Sequence, residues 1–144
     1  MKPELIIFDC DGTLADSENM HQLAVISALE ACGVTGYDVA FCTKHFVGRG
    51  MNYVQRMVEE RENKKLPPEF LDIYIASCAK LTDIGMQPLP HAMESVETLS
   101  KSYKVCVASN GEPDTVKHTV SSIGMMEFFG EEHIFTKSQV ERGK

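Results

Sequence analysis

Four large apolar residues in a row, Leu5, Ile6, Ile7 and Phe8, stop abruptly at a carboxylate, Asp9. A short uninterrupted apolar run of this kind predicts a strand buried on both faces, as in parallel sheets. From Asp16 or Ser17, either of which can cap a helix, the spacing turns helical and runs to about Cys32, with Gly33 just past the end. A shorter helical piece follows Asp38 as far as His45, and residues 46–50, FVGRG, form a glycine-flanked loop. Met51, Val54, Met57 and Val58 then recur at helical spacing, with Arg56, Glu59 and Glu60 on the opposite side. Leu66-Pro67-Pro68 breaks that helix, and Phe70, Leu71, Tyr74, Ile75, Cys78 and Leu81 mark the next.

The character changes at residues 86–90, MQPLP, a linker-like stretch with two prolines. A helix over about 91–102 leads to a second buried strand, Val105 to Ala108. Ser109, Asn110 and Gly111 follow, then a helix from Pro113, a residue suited to the first helical position, ending at Gly124. His133 to Thr136 is a candidate third strand. The strands and their flanking helices suit an α/β sheet, and the all-helical stretch suits a cap inserted after the first strand. The expected division is therefore an α/β core of 1–17 and 86–144 with a helical cap of 18–85.

Composition narrows the function. With 14 Lys+Arg against 21 Asp+Glu the net charge is −7, so nucleic acid is a poor main ligand. Cys10, Cys32, Cys42, Cys78 and Cys106 are odd in number and contain no CxxC pair, which reads as reduced packing thiols in a cytoplasmic protein. The opening residues do not form a signal peptide, and no apolar segment approaches the ~20 residues of a membrane span.

The candidate chemistry begins at Asp9 and Asp11, one residue apart, with Gly12 allowing a sharp turn behind them. Two carboxylates at a strand end repel each other unless a cation compensates. Mg²⁺, which prefers carboxylate and phosphate oxygens, would do so by bridging Asp9 and a phosphoryl group. Asp9 could then attack a phosphate ester as nucleophile, and Asp11 could protonate the leaving alkoxide and later deprotonate water. Ser109, at a strand end and just before a helix, offers a hydroxyl and nearby N–H groups suited to phosphate oxygens. Alone, Ser109-Asn110-Gly111 is a common turn. Lys144, after Gly143, carries an ammonium that could neutralise phosphoryl charge. Alone, it is a surface lysine.

Taken together, FDCDGTLADSE, VASNG and the lysine of VERGK resemble the three motifs of the haloacid-dehalogenase superfamily, in its helical-cap phosphatase branch. Order and spacing match, with 100 residues from Asp9 to Ser109 and 35 from Ser109 to Lys144. The resemblance implies a Rossmann-like parallel core with an inserted α-helical cap. It also implies a nucleophilic Asp9, an acid/base Asp11, and phosphate binding by Ser109, Asn110 and Lys144. Mg²⁺ would be held by the Asp9 side chain and the Asp11 backbone carbonyl. Arg49, in the glycine-flanked loop, and His21, on the first cap helix, resemble substrate-facing cap positions. Members of the branch continue past the lysine into a strand with a further acidic pair, so the sheet is expected to be incomplete here.

The implied activity is hydrolysis of a small phosphorylated metabolite, such as phosphoglycolate or a sugar phosphate, through an aspartyl-phosphate. A phosphomutase resembling β-phosphoglucomutase and a non-catalytic remnant that binds a partner remain as alternatives. A phosphoacceptor receiver module fits less well, because its acceptor lies on a later strand. Without the strands that would follow Lys144, the first strand becomes a sheet edge, through which self-association is expected.

Overall fold

A computed structural model of the chain describes residues 3–139. Among these residues three strands, β1 (Leu5–Phe8), β2 (Lys104–Ser109) and β3 (Ile134–Thr136), pair in that order, both pairs parallel. Between β1 and β2 come α1 (Glu18–Ala31), α2 (Val39–Phe46), α3 (Met51–Glu62), α4 (Phe70–Gly85) and α5 (Ala92–Ser100). Between β2 and β3 come α6 (Pro113–Ser122) and α7 (Met126–Phe129). The result is an α/β core of Rossmann-like type with a helical insertion after its first strand. No described helix is long and apolar enough to cross a membrane.

Packing divides the described chain into two units. One takes the residues up to Glu18 and from Thr82 onward, and the other is Asn19–Leu81. In the first, β2 is the middle strand, and Val105, Cys106 and Val107 are buried in succession because α5 and α7 pack on it. Burial pushes the Cys106 thiol above its usual range, which makes it a chemically quiet packing group. Phe129 of α7 meets the ring of Phe8 edge-on, with centroids 5.8 Å apart.

The first strand lies at a sheet edge among the described residues, as expected, and this qualifies the reading of its apolar run. Leu5 is 47% and Ile7 60% exposed, although the unbroken apolar run predicts burial on both faces. The cause is position. Among the described residues β1 pairs only with β2, so it lies at the end of the strand order. The supposed linker at 86–90 also differs from expectation. Asp16 N–H donates to the Gln87 carbonyl and Leu89 N–H to that of Leu14, both at 2.9 Å, while Ala15 bridges Pro88. With Met86 buried, the segment is bonded onto the turn after β1 rather than loose.

The helical unit is built on its own stripes. Phe70, Tyr74 and Cys78 are buried at four-residue spacing along α4, and Val54 and Val58 along α3. Asp38 caps α2 by accepting the Phe41 N–H at 2.7 Å, an interaction of about 1 kcal/mol. Tyr37, Phe41 and Phe46 form an aromatic cluster, and the Arg61 guanidinium stands 4.6 Å from the Phe41 ring centroid. Burial, reinforced by the hydrogen bond to Glu62, pushes the Tyr37 phenol up to about 12.

Candidate active site

Extended backbone points successive side chains to opposite sides. Past β1 this alternation turns Cys10 inward, fully buried, while Asp9 is exposed and Asp11 half-buried. The chain then winds around one carbonyl: the N–H groups of Thr13, Leu14 and Ala15 all donate to Cys10 O, at 2.9–3.3 Å. Gly12, at φ +69°, makes the bend and donates to Ala15 O at 3.0 Å. Buried Leu14 and Ala15 anchor the far side. Three buried apolar residues thus hold a turn whose two carboxylates stay accessible.

Because the strands are parallel, β1 and β2 deliver their C-terminal ends to the same edge of the sheet, where open α/β sheets bind ligands. Ser109, the last residue of β2, is buried, and its hydroxyl stands 3.5 Å from Asp11 Oδ2. That distance is the outer limit of a hydrogen bond. Gly111 N–H donates to Ser109 Oγ at 3.0 Å. On the other side, the fully buried Ser17 hydroxyl donates to Asp11 Oδ1 at 2.7 Å, a charge-assisted bond. The Asp11 carboxylate is thereby bracketed by two serines. Asp9 Oδ1 accepts the N–H of Cys10 at 2.9 Å, which orients it within its own turn.

The structure therefore brings together Asp11 and Ser109, which are 98 residues apart in sequence, with Asp9 two residues from Asp11. Asn110 follows Ser109 in the same turn, half-buried. Arg49 and His21 belong to the other unit. Arg49 is exposed, its guanidinium 5.1 Å from the Tyr53 ring centroid, and Arg56 approaches the same ring at 5.8 Å. His21 Nδ1 is 2.9 Å from the Tyr74 hydroxyl and 3.9 Å from Cys78 Sγ. Lys144 lies outside the described residues. Ser17 and Gly111 are the participants that sequence reasoning misses, since Ser17 reads as a helix cap and Gly111 as a turn glycine.

Among the described residues no group of three or more His, Cys, Asp or Glu is arranged to hold a metal. The two carboxylates after β1 are nonetheless hard oxygen donors, at an exposed turn. Mg²⁺ is commonly held by one or two carboxylates, with water and substrate phosphate completing the shell, so the donor set fits that ion.

A family model for haloacid dehalogenase-like hydrolases matches residues 6–144. The chain is 27% identical over 142 residues to the 6-phosphogluconate phosphatase of Escherichia coli (strain K12), covering 98% of this chain and 62% of that protein. It is also 27% identical over 126 residues to the phosphoglycolate phosphatase of Aquifex aeolicus (strain VF5), covering 87% and 57%. It thus spans about three fifths of the length of these curated relatives. Among solved structures it resembles a HAD family hydrolase from Deinococcus radiodurans R1 with bound phosphate and sodium. There the TM-score is 0.63 at 25% identity, covering 98% of this chain and 61% of the other.

Proposed function

The chain belongs to the haloacid dehalogenase-like hydrolase family, and from that premise we propose that it serves a Mg²⁺-dependent phosphatase acting on a small phosphorylated metabolite. The observation that carries the reading is the approach of the Ser109 hydroxyl to the Asp11 carboxylate at the common edge of β1 and β2. An acid/base candidate and a phosphate-binding candidate from distant parts of the sequence meet there. The two phosphatases among the relatives and the phosphate in the Deinococcus structure support the substrate class.

In this reading an Asp9 oxygen attacks phosphorus in line, and the bond from phosphorus to the alcohol oxygen breaks. Asp11 gives its proton to the departing alkoxide. A water then attacks the phosphorus of the acyl-phosphate and passes its proton to Asp11, and inorganic phosphate leaves Asp9. Ser109 and Asn110, together with Lys144, hold the phosphoryl oxygens through the sequence. Asp9 and Asp11 would hold Mg²⁺, which would offset the repulsion between an anionic nucleophile and an anionic phosphoryl group. Arg49 and His21 act as selectors from the helical insertion, which is a cap. The odd number of cysteines, with no CxxC pair among them, favours a cytoplasmic setting. Exposed Leu5 and Ile7 favour self-association through β1.

The test uses radiolabelled aryl phosphate on the protein carrying Asp11→Ala. The nucleophile remains while the base for water is gone, so label should accumulate on the chain. Asp9→Asn should abolish both the trapped label and turnover, a loss of several powers of ten, or about 5 kcal/mol and more in the barrier. Label trapped equally with Asn at position 9 would remove Asp9 from the role. Label returned to a sugar bisphosphate rather than released as phosphate would identify a phosphomutase.

A further inference from the structure

Glycine 111 does not have the positive φ that favours glycine at Gly12 and elsewhere in this chain. Its requirement is for space. A Cβ added there would lie 2.8 Å from Val116 Cγ2, 3.3 Å from Ser109 Oγ and 3.8 Å from Asp11 Oδ2. The first distance is one that real Cβ atoms do not tolerate, and Val116 is only 2% exposed on α6, so it has little room to retreat. The second is tighter than ordinary contact and falls on the hydroxyl that Gly111 itself binds. Any side chain must therefore move the 109–111 turn, and Ser109 Oγ moves with the N–H that holds it.

That hydrogen bond also has a direction. Gly111 N–H donates to Ser109 Oγ at 3.0 Å, occupying a lone pair and leaving the hydroxyl proton to point away from the turn. Asp11 Oδ2 at 3.5 Å lies on the side it faces, at a separation too long for a strong bond between the two. From this geometry we infer that Gly111 is a positioning residue for phosphoryl recognition. Its N–H aims the Ser109 hydroxyl, and its missing side chain is what lets the N–H come close enough beside Val116 and Asp11. The inference rests on the proposed reading of Ser109 as a phosphate-binding residue.

The experiment measures the affinity of the full chain for inorganic phosphate in the presence of Mg²⁺, by calorimetry, with thermal melting to verify folding. Gly111→Ala should weaken phosphate binding by about tenfold or more. Val116→Ala alone should stay within about threefold of wild type. The double variant, from which the 2.8 Å collision has been removed, should recover to within about threefold of Val116→Ala. Binding is compared only at temperatures where melting shows each variant to be folded, so a loss of affinity is not a loss of folded protein. Unchanged binding in Gly111→Ala would overturn the inference, and so would a loss that the double variant fails to recover. Ser109→Ala separates the two layers. If it binds phosphate like wild type, or if wild type binds none, the reading of Ser109 fails. If it binds weakly while Gly111→Ala does not, only the inference about Gly111 fails.

Discussion

The two units of this chain hold their polar side chains in opposite ways. Around β1 and β2 the polar groups are short, buried or half-buried, and bonded to one another: Ser17 to Asp11, Ser109 facing Asp11, Gly111 to Ser109. In Asn19–Leu81 many are long and lie over rings or in solvent, as Arg49 and Arg56 do at Tyr53, and Arg61 at Phe41. Short bonded groups lose little entropy when they are fixed and keep one geometry, which suits bond-making chemistry. Arginines stacked on rings keep much of their freedom, which suits recognition that varies between relatives of one fold. The proposed division of labour, reaction in one unit and selection in the other, follows from that contrast.

Among tests of this contrast, the largest effects are expected from a matched pair of core truncations. Phe70 in α4 is 1% exposed and Phe129 in α7 is 2% exposed, so replacing either by Ala should cost about 3–5 kcal/mol in urea unfolding. They should differ in function. Phe129 touches Phe8, the residue before Asp9, so Phe129→Ala should also weaken phosphate binding, whereas Phe70→Ala should leave the binding of folded molecules within about threefold. Equal effects on binding would break the contrast.

Ser17→Ala should cost about 1.5–3 kcal/mol, the range for removing a bond to a charged group. The buried hydroxyl goes, and Asp11 Oδ1 loses its 2.7 Å donor. Because that oxygen belongs to the proposed acid/base group, turnover of an aryl phosphate should fall along with stability. A loss of stability with unchanged turnover would make Ser17 a packing residue only.

How much of this was legible in the sequence depended on the range of the interaction. The Asp9–Asp11 turn is local, so carboxylates, glycine and apolar run sit within one short stretch and could be read directly. The strand ends at Phe8 and Ser109 were legible from apolar runs. The bracketing of Asp11 was not. Ser17 is six residues away and Ser109 98 away, and no periodicity links a hydroxyl to a carboxylate over either span. Residues 86–90 misled because proline marks a break in helix and says nothing about which strand-like segment takes the free carbonyls. The exposure of Leu5 and Ile7 could not be read from the run alone and followed only from the expected sheet edge: an apolar run reports what a strand can bury, and the neighbouring strand decides what it does bury.

A smaller effect is expected at Arg49. Replacing it by Ala should raise KM for a phosphorylated metabolite by about tenfold, ~1.4 kcal/mol, and alter KM for an aryl phosphate by less than about twofold. Such a split would tie the exposed guanidinium at Tyr53 to the part of the substrate beyond the phosphate. Equal changes on both substrates, or none, would remove Arg49 from selection.

The smallest effect concerns Glu59, and its sign can be worked out. Glu59 on α3 accepts from the Lys65 ammonium, from Gln55 Nε2 at 3.1 Å and from Leu66 N–H at 3.1 Å, closing the connection from α3 toward α4. The Lys65 bond first, then that of Gln55, holds its carboxyl below the ordinary value of 4.5. A carboxyl depressed in the folded state adds stability above its unfolded pKa, and that contribution disappears as pH falls through the lowered folded value. The melting temperature of the wild type should therefore drop more steeply than that of Glu59→Gln as pH falls from the ordinary carboxylate value through the lowered one. Above that window the wild type should melt slightly higher. Lys65 is 88% exposed, so salt should screen the pair and shrink the difference between the two proteins. Superimposable pH profiles at low salt would show that the Glu59 bonds form without stabilising the helical unit. That unit would then rest on its apolar stripes and aromatic cluster alone.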